Sequence, residues 1–155
     1  MIVYRLLLTL FAPVLAVVML LRLLRGLESR ADLVQRLGRC DGPAGAIWLH
    51  GASNGELTSA KALIGVLRGR FAQTPIHVTC NTVTARQMVK GWAMPGVSAQ
   101  LAPFDYRWIL ARFRKVLRPN CLIVLENELW PNRVVTGAEP AIFIAARLSD
   151  RSARR

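Results

Sequence analysis

The stretch that decides the fold is Ala46-Ile47-Trp48-Leu49-His50, an apolar run followed shortly by Ser53-Asn54-Gly55-Glu56. Residues 57–71 then carry apolar side chains at helical spacing. This order predicts a strand, a tight turn at Gly55 and a helix with a carboxylate in its first turn. In an open α/β sheet, ligands bind in the crevice outside the carboxyl ends of the strands. Glu56 would face that crevice, which makes it the leading candidate for a catalytic base.

A purely structural role competes for the same residues. Ser-x-x-Glu before an apolar run is also a capping box, in which Ser53 accepts from a backbone N–H and Glu56 reaches back to the helix start. Such a cap stabilises a helix by about 1 kcal/mol. On this motif alone the capping role is the commoner one, so a catalytic role for Glu56 needs support from elsewhere in the chain.

Strand and helix patterns alternate through the rest of the chain. The predicted strands are 46–50, 76–80, 97–102, 121–125 and 141–145, and the predicted helices are 57–71, 84–92, 106–117 and 131–136. Alternation of this kind is typical of right-handed β-α-β units with a parallel sheet. The fully apolar run Cys121–Leu125 fits a strand covered on both faces. The predicted fold class is therefore α/β, with a Rossmann-like parallel sheet over 46–155.

The N-terminal segment predicts a membrane-anchor helix. No charged residue occurs in 6–21, and Arg5 and Arg22 flank this run. The run is shorter than the roughly 20 residues of a span, but the flanking arginines could snorkel and extend it. A spanning helix and an embedded interfacial helix both fit. Arginines directly after the run argue against a cleaved signal peptide, so we expect 1–24 to be an uncleaved anchor with the globular part in the cytoplasm.

The segment between anchor and sheet predicts a juxtamembrane amphipathic helix and a linker over 25–45. Residues 23–37 place Leu and Val at helical spacing between charged residues, and the Gly- and Pro-containing stretch 41–45 breaks that pattern. The formal net charge of +12 suits an anionic membrane surface or a phosphate-bearing substrate. A basic chain also raises nucleic acid as a partner, but no nucleic-acid-binding motif accompanies the charge. We therefore predict a membrane partner and no nucleic-acid partner.

The cysteines and histidines do not predict a metal site. Cys40, Cys80 and Cys121 are widely spaced and form no cluster with His50 or His77. Reduced cytoplasmic thiols fit this spacing, and the cysteines within apolar runs are expected to fill the core. No Gly-x-Gly-x-x-Gly follows the first strand, so a dinucleotide site is not indicated either.

Two carboxylates end the fourth predicted strand. Glu126 and Glu128 are one residue apart and would share a face in extended chain. Arg147, at the end of the next strand, could reach them. A structural ion pair between neighbouring loops and a substrate-binding cluster both remain open.

Motifs at the ends of successive apolar runs resemble the N-terminal half of the bacterial 3-deoxy-D-manno-octulosonic acid (Kdo) transferases. They are His50-x-x-Ser53-x-Gly55-Glu56, the threonines at 79, 82 and 84, the stretch 101–105, Glu126-Asn127-Glu128-Leu129-Trp130-Pro131-Asn132 and the stretch 146–152. The Glu-x-Glu-Leu-Trp-Pro-Asn motif is the most specific of these, and the resemblance covers nearly the whole chain. The sequence departs from the family pattern at Asn54, Ala85, Asn127 and Ala145.

The resemblance implies a GT-B glycosyltransferase of lipopolysaccharide biosynthesis at the cytoplasmic face of the bacterial inner membrane. It would transfer Kdo from CMP-Kdo to a lipid A precursor, lipid IVA, by inverting sugar transfer without metal or cofactor. Glu56 would be the catalytic base, and the substrate-binding residues would be Ser53, Gly55, Glu126, Glu128 and Arg147. Since the family holds its donor mainly with a C-terminal half, this chain would supply the acceptor-side half only. The alternative is a non-catalytic membrane-bound module for an anionic glycolipid or a partner donor domain.

Overall fold

The computed structural model describes residues 1–126 and 130–144. The strands are β1 (Ile47–His50), β2 (Ile76–Cys80), β3 (Val97–Leu101), β4 (Cys121–Leu125) and β5 (Ala141–Ile144). The helices are α1 (Ile2–Leu24), α2 (Arg30–Arg36), α3 (Asn54–Arg70), α4 (Val83–Gly91), α5 (Arg107–Leu117) and α6 (Pro131–Val135). Each predicted strand and helix of the sheet domain is present, with ends shifted by a few residues. Among the residues named above, Asn127, Glu128, Leu129, Ala145 and the stretch 146–152, which includes Arg147, lie outside the described ranges.

The strands form one parallel sheet in the order β3-β2-β1-β4-β5. The prediction of an α/β, Rossmann-like fold is confirmed. The chain moves outward from β1 to β3 in one direction and then returns to β4 on the other side of β1. The order therefore reverses between β1 and β4, and such a switch point is where open α/β sheets bind ligands.

Helices cover both faces of the sheet because the strand residues alternate between two apolar clusters. On one face Leu49 packs with Leu57 and Ile64 of α3. On the other face Trp48 packs with Phe113 of α5, and the two ring centroids lie 4.8 Å apart. Strands that bury both faces are mostly apolar, which helped the sequence to locate them, although β2 and β3 also bury His77, Thr79 and Gln100.

The N-terminal region consists of two helices with a break between them. In the described ranges, α1 is the one helix long and apolar enough to cross a membrane, although a signal sequence would pass the same test of length and composition. The chain turns at Gly26, whose φ is +67°, and α2 starts at a capping box formed by Ser29 and Asp32. The amphipathic pattern predicted one helical stretch over 23–37, whereas the observed α2 is shorter and buries Gln35 and Arg36.

Candidate active site at the switch point

Glu56 and Glu126 line the same small cavity at the carboxyl ends of β1 and β4. The cavity has a volume of about 140 Å³, and its lining residues are Glu56, Ser59, Ala60, Leu63, Leu125, Glu126 and Ile144. Glu56 comes from the first turn of α3 and Glu126 directly follows β4. Sequence reasoning selected both residues, and the fold brings them together at the switch point.

The Glu56 carboxylate is held by the start of α3. Its Oε2 accepts from the Ala52 backbone N–H at 2.7 Å, and its Oε1 accepts from the Ser53 hydroxyl at 2.9 Å. The Ser53 hydroxyl oxygen in turn accepts from the Glu56 backbone N–H at 3.3 Å. The reciprocal cap therefore exists, although the carboxylate reaches the N–H of Ala52 rather than that of Ser53.

The Glu56 carboxylate can accept further hydrogen bonds while it caps the helix. An ionised Glu offers about four lone-pair positions, and the two hydrogen bonds described above occupy two of them. The side chain is half-buried at the cavity wall, and the positive end of the α3 dipole favours a negative charge there. Glu56 can thus cap the helix and still accept a proton from a bound hydroxyl.

In the turn between β1 and α3, the backbone is closely surrounded by side chains at Gly51 and not at Gly55. A Cβ on Gly51 would lie 2.9 Å from side-chain atoms of both Leu125 and Leu57, so a larger residue would push into the sheet–helix junction. Gly55 lies within the first turn of α3, and a Cβ there would meet nothing nearer than the Ser53 hydroxyl at 4.0 Å. The prediction of a tight turn at Gly55 was therefore wrong.

Glu126 has a strained backbone. Its φ is +52°, in the left-handed region that non-glycine residues rarely adopt, and its N–H donates to the Ile144 carbonyl at 2.8 Å. Its side chain is exposed at the cavity mouth. Such strain is concentrated at functional sites in proteins.

The threonines of the second strand and its following loop have structural partners. Thr79 is fully buried, and its hydroxyl accepts from Trp48 Nε1 at 2.8 Å, so it does not face the crevice. Thr82 caps α4 by accepting from the Ala85 N–H. Thr84 is exposed and donates to the Asn54 side chain at 3.5 Å, which places it beside the start of α3.

The sequence reasoning missed a buried cluster around Asp105. The Asp105 carboxylate accepts from the backbone N–H groups of Asn132 and Arg133 at 2.9 and 2.7 Å, and so caps α6. Tyr4 of α1 donates to the same carboxylate at 2.7 Å. An acidic residue in the loop after a strand, combined with a Pro-Asn helix start elsewhere in the chain, was the available signal.

The thiols and the metal-binding residue types take no part in this site. Burial raises the pKa of Cys40 and Cys80 to about 11, so both thiols are protonated at neutral pH. Within 1–126 and 130–144 no group of three or more His, Cys, Asp or Glu side chains lies together in a way that could hold a metal ion.

Comparison with known proteins places the chain in a family. The family model described as 3-deoxy-D-manno-octulosonic-acid transferase (kdotransferase) matches residues 29–155. A probable mitochondrial 3-deoxy-D-manno-octulosonic acid transferase from Arabidopsis thaliana is 34% identical over 140 residues, which are 86% of this chain and 31% of the relative.

Bacterial relatives indicate the same family. The 3-deoxy-D-manno-octulosonic acid transferase of Haemophilus influenzae is 34% identical over 81% of this chain and 31% of its own length. That of Rickettsia bellii is 28% identical over 92% of this chain and 35% of its own length. The chain thus spans about a third of the length of these relatives. It belongs to the Kdo transferase family of glycosyltransferases and corresponds to the N-terminal domain of that family.

Proposed function

We propose that this chain supplies the acceptor-side half of a Kdo transferase acting in lipopolysaccharide biosynthesis. The donor would be CMP-Kdo, bound mainly by a second domain, and the acceptor a lipid A precursor such as lipid IVA. Residues 1–24 would anchor the protein at the cytoplasmic face of the inner membrane, 25–45 would connect the anchor, and 46–155 would form the catalytic half. Family membership supports this assignment.

The observation that carries the proposal is the shared cavity of Glu56 and Glu126 at the switch point. An alkyl hydroxyl is a poor nucleophile, so a base within hydrogen-bond reach must take its proton as the new bond forms. In the proposed reaction Glu56 takes that proton while the hydroxyl oxygen bonds to the anomeric carbon of Kdo. CMP leaves from the opposite face, which inverts the configuration.

The other selected residues would hold substrate around this base. Ser53 and Gly55 lie at the start of α3, where backbone N–H groups and the helix dipole favour an anionic group such as the acceptor phosphate. Glu126 would accept hydrogen bonds from sugar hydroxyls at the cavity mouth. We propose Glu128 and Arg147 as further binding residues on the family resemblance alone.

The test distinguishes the proposed role of Glu56 as a base from its role as a helix cap. In a protein that joins this chain to the donor-binding domain of a relative, Glu56→Gln should keep the hydrogen bond from Ala52 but lose the base. Transfer should fall about 10²-fold or more, as expected for loss of general-base catalysis, while the unfolding midpoint stays close to that of the parent.

Thr82→Ala is the matched control, because it removes the side-chain cap of a different helix, α4, and leaves both hydrogen bonds to the Glu56 carboxylate in place. We expect it to lower stability and to retain most of the transfer activity. Near-normal turnover by the Glu56→Gln protein would reduce Glu56 to a capping residue. Acceptor binding without any transfer by the parent protein would favour the non-catalytic binding module.

A further inference from the structure

The N-terminal end of α1 is bound to the sheet domain. Tyr4 donates to the buried Asp105 carboxylate at 2.7 Å, and Arg5 Nε donates to the Asn132 side-chain oxygen at 3.2 Å. Asp105 and Asn132 belong to the loop after β3 and to the start of α6, both at the carboxyl edge of the sheet. The first turn of α1 therefore lies against the edge that holds the candidate active site.

The remainder of α1 also follows the domain. The Tyr106 hydroxyl donates to the Leu8 carbonyl at 2.8 Å. At the other end of the helix, Arg22 Nε donates to Glu28 at 2.9 Å, and Glu28 is held by two further hydrogen bonds from Arg36 of α2. Burial alone would raise the pKa of Glu28, but its hydrogen bonds to Arg36 and Arg22 lower it. Both ends of α1 are thus fixed to one domain.

These contacts conflict with a helix that spans a membrane upright. Tyr4 and Arg22 are separated by about 27 Å along the helix axis at 1.5 Å per residue, close to the roughly 30 Å of the hydrocarbon region. An upright α1 would carry the irregular loop around Asp105 to the far side of the membrane, and part of the domain would lie in hydrocarbon. Irregular backbone and buried charges are not tolerated against lipid.

The two faces of α1 differ in exposure. The half-buried positions recur at helical spacing along the side that meets the domain: Tyr4, Arg5, Leu8, Ala12, Leu15, Met19, Arg22 and Leu23. The opposite side is apolar and exposed at Leu6, Leu7, Leu10, Val14, Val17, Val18 and Leu21. Leu10, for example, is 70% exposed. A continuous apolar stripe of this length fits the hydrocarbon of a lipid leaflet.

Residues beside the second half of α1 suit the headgroup region. Trp108 of α5 is 60% exposed and lines a cavity together with Leu20 and Leu23. Arg107 and Arg112 are exposed on α5. Tryptophan is enriched at membrane–water boundaries, and arginine is attracted to anionic headgroups.

Two apolar cavities separate α1 from the domain. One has a volume of about 360 Å³ and opens towards the carboxyl edge of the sheet, and the other has a volume of about 440 Å³ and lies against α2 and α5. Leu15, Phe104 and Tyr106 contribute to both. The walls of both cavities are mostly apolar, so lipid acyl chains fit them, and the first also has Arg36, Asp105 and Arg133 at its wall.

From these contacts we infer that α1 lies in the plane of one leaflet of an anionic bilayer, alongside the domain, with acyl chains of that leaflet filling the two cavities. The N-terminus is then on the same side of the membrane as the sheet domain. This arrangement does not depend on the proposed sugar transfer, and it selects the interfacial alternative over the spanning one.

The test is the sidedness of the two chain ends. The protein, with one epitope tag before Met1 and another after Arg155, is expressed in bacteria, and sealed membrane vesicles of each orientation are treated with protease. We expect both tags to be digested in the same vesicle population and both to be protected in the other. Digestion of the two tags in opposite populations would overturn the inference, and complete digestion after detergent serves as the control.

A second measurement tests the cavities directly. Trp130 lines the cavity of about 360 Å³, and Trp108 lines the cavity of about 440 Å³. Brominated phospholipids should quench the fluorescence of both tryptophans. In a protein carrying Trp108→Phe and Trp130→Phe, two tryptophans remain as internal references: Trp48, which is fully buried, and Trp92, which packs against the core at the end of α4. The fractional quenching should then fall severalfold. Unchanged fractional quenching in that variant would mean that lipid does not enter the cavities.

Discussion

At the residue scale, the contribution of Ser53 to the start of α3 can be measured as stability. Its hydroxyl oxygen accepts from the Glu56 N–H at the start of α3. Ser53→Ala should lower the free energy of unfolding by about 1 kcal/mol, the usual value for an N-cap, as measured by urea unfolding in mild detergent. Ser59→Ala is the control, because the Ser59 hydroxyl only donates to the Gly55 carbonyl within the helix. Equal stability of the two variants would argue against the cap.

His77 makes stability depend on pH. Burial lowers its pKa from 6.5 to about 4, while Nε2 donates to Gln100 and Nδ1 accepts from Ser98. The unfolded chain therefore binds a proton between pH 6.5 and 4 that the folded chain does not. Stability should be complete above pH 6.5 and fall as the pH drops towards 4, in total by roughly 3 kcal/mol.

The measurement is the unfolding free energy of wild type and His77→Gln across this pH range. Glutamine cannot take up a proton, so its curve should be flatter between pH 6.5 and 5 even if the variant is less stable overall. The carboxyl groups of Glu28 and Asp32 have lowered pKa values, so the stability that they contribute is lost only at more acidic pH. They therefore do not affect the comparison between pH 6.5 and 5. If the unfolding free energies of the two proteins changed in parallel with pH, His77 would be excluded as the source of the pH dependence.

At the element scale, two glycines with positive φ have different surroundings. Gly38, after α2, has a φ of +87°, and a Cβ there would lie 2.4 Å from the backbone carbonyl oxygen of Ile109 in α5. Gly26, between α1 and α2, has a φ of +67° and open space around it. An L-residue in the left-handed region costs about 1–2 kcal/mol, and overlap with a backbone atom adds to that cost.

Gly26→Ala should therefore destabilise the protein by about 1 kcal/mol, and Gly38→Ala by clearly more, since α2 must move away from α5. Thermal unfolding of both variants in the same detergent provides the comparison. A Gly38→Ala protein as stable as the Gly26→Ala protein would show that α2 is not held tightly on α5.

The elements of the sheet domain show which local signals were reliable. The strands β2 and β4 begin and end at the predicted residues, because strands buried on both faces are mostly apolar and stand out from their polar surroundings. In β2 the two polar residues, His77 and Thr79, are buried and hydrogen-bonded. The helix starts follow their caps at Ser53 and Thr82. The stretch 23–37 misled the prediction because its periodicity continues across Gly26, where the backbone turns.

At the scale of the whole molecule, the outer stripe of α1 should control membrane binding. Leu10→Glu places a charge on the lipid-facing side, and we expect the protein to lose most of its binding to anionic phospholipid vesicles in a flotation assay. Val66→Glu is the matched control, because Val66 is 69% exposed and lies on α3. Equal binding of both variants would argue against insertion of α1.

The sequence by itself determined the α/β class, the strand positions and the placement of Glu56 and Glu126 at the ends of β1 and β4. These follow from local periodicity and from the rule that parallel strands present their carboxyl ends at one edge. Local patterns suffice here because each strand and each helix start is specified by neighbours along the chain.

Only the tertiary structure decided which residues meet across large sequence separations. It showed that Gly51, and not Gly55, is in close contact at the start of α3, that Thr79 is enclosed by the sheet, and that Asp105 joins α6 to Tyr4. It also placed α1 along the domain, although the composition of α1 fits a spanning and an interfacial helix equally well. The physical reason is that the apolar pattern of a helix or strand shows only that one of its surfaces will be buried. Which element covers that surface depends on the order of the strands and on the few polar contacts that hold one element against another.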